Sequence, residues 1–128
     1  STYQFASQSL EFAMRDLAVD VRDLAKGAPF EFEIKIIGED FELDGLTRNQ
    51  TVRDFDEKDK SFADILTALV RKANPVPAKD LADPEQKMIW VIGPDPDNAA
   101  KNIILITTRT AAAKKKYTLP APFVPKSA

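Results

Sequence analysis

At 128 residues the chain has the length of one domain, enough to bury roughly two thirds of its unfolded surface. Its 44% hydrophobic and 30% charged residues are ordinary for a globular protein, and a formal net charge of −2 argues against bulk affinity for nucleic acid. Cysteine and histidine are both absent, which excludes disulfides, thiolate metal sites and thiol catalysis, and removes the commonest general base and metal ligand.

No apolar run approaches the roughly 20 residues of a membrane span, so a soluble chain with no direct membrane insertion is expected. The start at Ser1 reads as a processed or excised piece of something longer. Charge is uneven along the chain. Residues 31–60 hold ten acidic and five basic side chains, whereas residues 100–128 hold six basic and no acidic ones. Two readings fit: solvated faces, or a basic tail that meets an acidic surface.

Tyr3 and Phe5 alternate with polar residues and predict a short opening strand that runs into Ser7-Gln8-Ser9. From Leu10 the period changes to 3.6. Leu10, Ala13, Met14, Leu17, Ala18, Val21, Leu24 and Ala25 fall on one helical face. Ser9 is the natural N-cap and Gly27 the natural stop, which predicts a helix from Leu10 to about Lys26.

Phe30–Ile37 is the clearest strand. Phe30, Phe32, Ile34 and Ile36 share one face, and Glu31, Glu33 and Lys35 share the other. Gly38 ends it. Phe41, Leu43 and Leu46 read as a second, shorter apolar contribution. Gln50–Phe55 is a weaker strand in which Val52 and Phe55 break the period of two, the mark of a bulge.

Ser61 caps a second helix, with Asp64 completing a Ser-x-x-Asp box. Phe62, Ile65, Leu66, Leu69, Val70 and Ala73 form its buried stripe, and Asn74-Pro75 ends it. Residues 75–84 read as a loop. Lys87–Ile92 and Asn102–Thr108 follow as a pair of strands, with a hairpin loop from Gly93 to Lys101 between them. Thr110–Lys116 reads as a short helix. Pro120, Pro122 and Pro125 then predict an extended tail or linker. The expectation is an α+β domain over residues 1–108, two helices packed on small β-sheets in the order β-α-β-β-α-β-β, followed by residues 109–128 as a short helix and proline-rich tail.

The side chains offer little catalytic chemistry. Asp54-Phe-Asp56-Glu57-Lys58-Asp59 is the densest acidic group, but it lacks the glycine turn and distal glutamate of a calcium-binding loop. A surface turn is the main reading, with a weak cation site or a carboxylate-dependent hydrolase as the others. Asp95-Pro96-Asp97-Asn98 has calcium-ligand chemistry too, yet it is also ordinary turn composition. The four glycines are isolated and form no phosphate loop, so no cofactor or metal is expected. Lys114-Lys115-Lys116 is too short for a nucleic-acid footprint. Trp90 sits in an apolar run and reads as sheet packing. A small sheet does have edges that can accept an extended partner. Phe30–Ile37 is the best such edge, with Glu31, Glu33 and Lys35 as the candidate partner-binding residues.

Tyr3, Phe5, Gln8, Leu10, Ala13, Met14, Leu17 and Ala18 resemble the opening Phe-x-[Ile/Phe]-x-x-Gln-x-Leu-x-x-Ala-Leu-x-x-Leu-Ala pattern of the secretin and TonB short N-terminal domain. Ser61, Asp64, Leu66, Leu69 and Val70 resemble that family's second helix, and Met88–Ile92 with Ile103–Thr107 its closing hairpin. The resemblance spans roughly residues 3–108. Val19–Lys26, the segment 38–50, the 75–86 loop and the tail all add length to the family's pattern. The resemblance implies a non-catalytic periplasmic interaction module of a larger bacterial envelope protein, with other envelope proteins as partners. The alternative is a small-molecule or carbohydrate-binding module using Trp90, Tyr117 and Phe123.

Overall fold

The computed structural model describes residues 2–21 and 33–125, the side chains of Asp20 and Val21 excepted. The elements in chain order are β1 (Tyr3–Ser9), α1 (Leu10–Val21), β2 (Ile34–Ile36), α2 (Gly38–Leu43), β3 (Thr51–Glu57), α3 (Phe62–Ala73), β4 (Met88–Asp95), β5 (Asn98–Thr108) and α4 (Arg109–Lys115), with a 3-10 turn at Ala121–Phe123. The fold is mixed α+β, with four helices and five strands in two small sheets. β1 and β3 form an antiparallel pair. β5 lies at the centre of the other sheet, parallel to β2 and antiparallel to β4.

The expected strand-to-helix switch at Ser9 holds. The Phe12 N–H donates to Ser9 Oγ at 3.2 Å, and Leu10, Ala13, Met14, Leu17 and Ala18 are all buried. The predicted stretch from Arg22 to Lys26, the stop at Gly27, and Phe30, Glu31 and Phe32 lie outside the described residues. α3 matches its stripe: Ile65, Leu66, Leu69, Val70 and Ala73 are buried, and the Asp64 N–H donates to Ser61 Oγ at 3.1 Å. α1 touches β1 and β2, and α3 touches β3 and β4. Each long helix thus packs on one strand of each sheet, and a single apolar core runs through both layers. That shared burial is the main stabilising term, since apolar area removed from water contributes about 25 cal/mol per Å².

Four expectations need correction. The irregularity in β3 is not a bulge. Its register with β1 is unbroken from Tyr3↔Glu57 to Ser9↔Thr51, so no residue is inserted. Asp54 instead adopts φ +54°, a left-handed conformation that Asp tolerates better than most residues. This shifts the alternation and lets both Val52 and Phe55 point inward.

The Phe41–Leu46 segment is not a simple apolar run. Gly38–Leu43 is a helix whose first turn carries Glu39 and Asp40, a favourable placement of negative charge at a helix N-terminus. Phe41 and Leu46 are buried but Leu43 is 63% exposed. Six residues are too few for a helical period to stand out in sequence.

The hairpin loop is far tighter than Gly93–Lys101. β4 and β5 continue to a two-residue turn at Pro96-Asp97, and a register shift between Pro94 and Asp95 takes up the surplus residues. Gly93 and Pro94 read as breakers, yet Pro94 is compatible with an edge strand.

The tail through Phe123 is packed rather than extended. Phe123 is fully buried and meets Trp90 edge to face at 6.3 Å. Arg109 ties this segment down: its guanidinium donates to Phe123 O at 2.7 Å and Leu81 O at 2.8 Å. The short helix before it forms as expected, one residue earlier at each end, capped by Thr108.

Candidate interaction site at the sheet edge

Among the described residues β2 is an edge strand, bonded to β5 on one side only. Its parallel register is Ile34↔Ile104, Lys35↔Leu105, Ile36↔Ile106. The Ile104 N–H donates to Glu33 O, and the Ile37 N–H to Ile106 O, each at 3.0 Å. A parallel ladder alternates, so Glu33, Lys35 and Ile37 direct their backbone groups to β5. Ile34 and Ile36 therefore direct their N–H and C=O groups away from it. A groove of about 230 Å³ lies along this side. Ile34, Ile36 and Met14 line it, with Glu11 and Arg15 on the α1 wall and Arg48 also contributing.

The predicted partner-binding residues have mixed fates. Glu31 lies outside the described residues. Lys35 points away from the core and is held by two carboxylates, Asp95 Oδ1 and Asp97 Oδ2, each 2.8 Å from Nζ. These bonds push the Lys35 pKa up and, from the other side, hold the Asp95 carboxyl below its usual range. The acids that sequence reasoning weighed as calcium ligands thus fix a lysine, and the Asp97 N–H adds a bond to Asp95 Oδ1 at 2.9 Å. Glu33 Oε2 lies 3.2 Å from Lys101 Nζ. Glu33 and Lys35 are thereby brought together with the hairpin tip as ion pairs that hold β2 beside β5, rather than as free charges.

The other edge of this sheet is blunted at its two ends. The Met88 N–H donates to Asn74 Oδ1 at 3.0 Å, and Met88 O accepts from Gln86 Nε2 at 2.8 Å. Side chains thus occupy the outward backbone groups at the start of β4. Pro94, in the same alternating set, has no N–H to offer.

Elsewhere, the acidic group is not the expected surface turn: Asp54 and Asp56 are exposed on β3 and only Asp59 lies on the bend before α3, and Asp56 lies 3.9 Å from Lys58. Among the described residues no group of three acidic, His or Cys side chains could hold a metal ion. Trp90 is half-buried and donates from Nε1 to Thr67 Oγ1 at 3.0 Å. With Phe123 in the core, the set Trp90, Tyr117 and Phe123 forms no open platform. Asp40 is 1% exposed. It accepts from Thr107 Oγ1 at 2.6 Å and Lys115 Nζ at 2.8 Å, a pairing that raises the Lys115 pKa and locks α4 onto α2. No described helix is long and apolar enough to cross a membrane.

Sequence reasoning missed Arg48 and Gly38. A Cβ at position 38 would collide with Arg48 Nη2, so the guanidinium occupies the space that a side chain at 38 would take. Ten residues separate them, and no local pattern announces the contact. No protein-family model, curated protein or solved structure matches the chain.

Proposed function

We propose that the chain is a non-catalytic protein-interaction module of the bacterial periplasm, part of a larger envelope protein, which accepts an extended segment of another envelope protein along β2. The observation that carries this reading is the open side of β2, where Ile34 and Ile36 offer backbone donors and acceptors beside a groove. A strand added there gains main-chain hydrogen bonds and pockets for alternate side chains. Support for the compartment and the class of partner is the resemblance of residues 3–108 to the secretin and TonB short N-terminal domain. The element order which that resemblance implies agrees with the strand, helix, strand, strand, helix and closing hairpin of the fold, α2 and α4 being additions.

A photo-crosslinking amino acid placed at Lys35, with a second at Leu43 as control, tests the reading in the native cell. Adducts with an envelope protein from position 35, absent from position 43 and lost on adding Ile36→Pro, are expected. Ile36→Pro removes an outward N–H without removing a ladder bond. Adducts from position 43 alone would contradict the reading.

A second reading has one observation in its favour. A groove of about 720 Å³ lies between α3 and the 75–84 loop, lined by Thr67, Ala68, Arg71, Val76 and Leu81 among others. That volume falls in the range of small-molecule sites. Reproducible thermal stabilisation by a small ligand, lost on Ala68→Trp, would favour a ligand-binding module instead.

A further inference from the structure

Arg48 differs from the other cations around the β2 groove. Lys35 is held by Asp95 and Asp97, and Arg15 lies 3.4 Å from Glu11. Arg48 is exposed, and no described carboxylate pairs with it. Its backbone is fixed, because Arg48 O accepts the Glu11 N–H at 3.1 Å at the start of α1. Its side chain crosses to Gly38, just beyond the end of β2, and lines the same groove as Ile34 and Ile36. The groove therefore combines an open strand edge with one unneutralised guanidinium at a set position.

We infer that the segment bound along β2 carries an acidic side chain at the position facing Arg48. This rests on the edge reading above. Backbone hydrogen bonds to Ile34 and Ile36 hold any extended chain and say nothing about its sequence. A guanidinium is planar and always charged, and it presents paired donors that match a carboxylate. Because side chains on a strand alternate with a period of two, a slip of one residue would turn the acid to the opposite face. One Arg–carboxylate contact thus sets both the register and the choice of partner. The groove's volume, about 230 Å³, is below that of ordinary small-molecule pockets and suits one or two side chains beside a paired backbone. Gly38 has a part in this: its missing Cβ leaves room for the guanidinium to lie against the strand end.

The test uses labelled, C-terminally amidated nonapeptides that alternate Val and Thr, with Glu placed at one Thr position at a time, read by fluorescence anisotropy against the all-Val/Thr parent. One Glu-bearing member should bind about tenfold more tightly than the parent, as a charge-assisted hydrogen bond implies. That advantage should shrink as salt is raised from about 0.05 to about 0.5 M. Arg48→Ala should abolish the advantage, so that Glu-bearing and parent peptides bind that variant equally. Gly38→Ala should do the same while keeping the charge, because its methyl takes the guanidinium's place. The clash there is with the far end of a flexible side chain, and Gly38 has no left-handed φ, so this variant folds.

Equal affinities of parent and Glu peptides, with the Ile34 and Ile36 amide resonances shifted by both, would overturn the role of Arg48 and leave the edge reading standing. Binding that leaves those resonances unmoved, or no binding at millimolar peptide, would overturn the edge reading as well.

Discussion

Among the described residues, the two edges of the three-stranded sheet are protected to different degrees. β4 is eight residues long, which makes it the more dangerous edge for unwanted pairing. It is blunted twice: at Met88 by the side chains of Asn74 and Gln86, and near the turn by Pro94 and the register shift beside it. β2 has Ile-Lys-Ile and neither device among its described residues. Natural sheets protect the edges they do not use. This contrast motivates the proposal that a partner pairs along β2, where Lys35 is drawn onto Asp95 and Asp97.

The largest effect in this comparison should come from the core that both edges share. Leu66→Ala, at a fully buried α3 position, should lower stability by about 2–5 kcal/mol in urea denaturation. A loss below about 0.5 kcal/mol would mean that α3 does not pack as described. Uncapping the start of β4 should cost somewhat less. Asn74→Ala removes the partner of the Met88 N–H and two bonds to the carbonyls of Val76 and Glu85, and a cost of about 1–3 kcal/mol is expected. The same variant should speed exchange of the Met88 amide by far more than that of Leu105 on central β5. Equal acceleration at both would mean that Asn74 supports the core generally and does not guard the edge.

Smaller effects attend the β2 side. Asp95 titrates below the usual carboxylate value of 3.8 because Lys35 and the Asp97 N–H bond it. Its contribution to stability is therefore present above that value and is lost as pH falls through the depressed one. Lys35 is shifted upward from 10.5, so its contribution holds below that value and fades only in stronger base. Wild-type protein should lose stability more steeply than Lys35→Met on acidification below about pH 4, as followed by denaturation midpoints. Parallel curves would show that the ion pairs add nothing. The smallest effect is Glu33→Ala, expected within about 0.5 kcal/mol of wild type because its pair with Lys101 is partly open to solvent. A severe loss would mean that Glu33 faces the core.

Most of the fold was legible in the sequence because burial imposes a period. The α1 and α3 stripes and the Ser9 and Ser61 caps could be read residue by residue. So could the apolar runs of β4 and β5. What escaped depends on contacts distant in sequence or on backbone states without a residue signature. α2 is too short to show a period. Pro94 reads as a breaker until its outward position on an edge is known. Phe123 hides among prolines, although Trp90 and Arg109 draw it into the core. At the candidate site, the choice of β2 and of Glu33 and Lys35 came from alternation, but their ion pairs with residues some 60 positions away did not. Arg48 on Gly38 left no trace, since a glycine that makes room for a distant side chain looks like any strand-ending glycine.

The central claim is that β2 keeps an open side. Amide hydrogen exchange of the free protein, resolved by NMR, addresses it most directly. Local opening spans the range from none to global stability, and paired amides lie toward the protected end. The account predicts that the Ile34 and Ile36 amides exchange at least about a hundredfold faster than those of Lys35 and Ile37, which bond to β5. Equal protection of all four would mean that something already fills the β2 edge, and it would contradict the account.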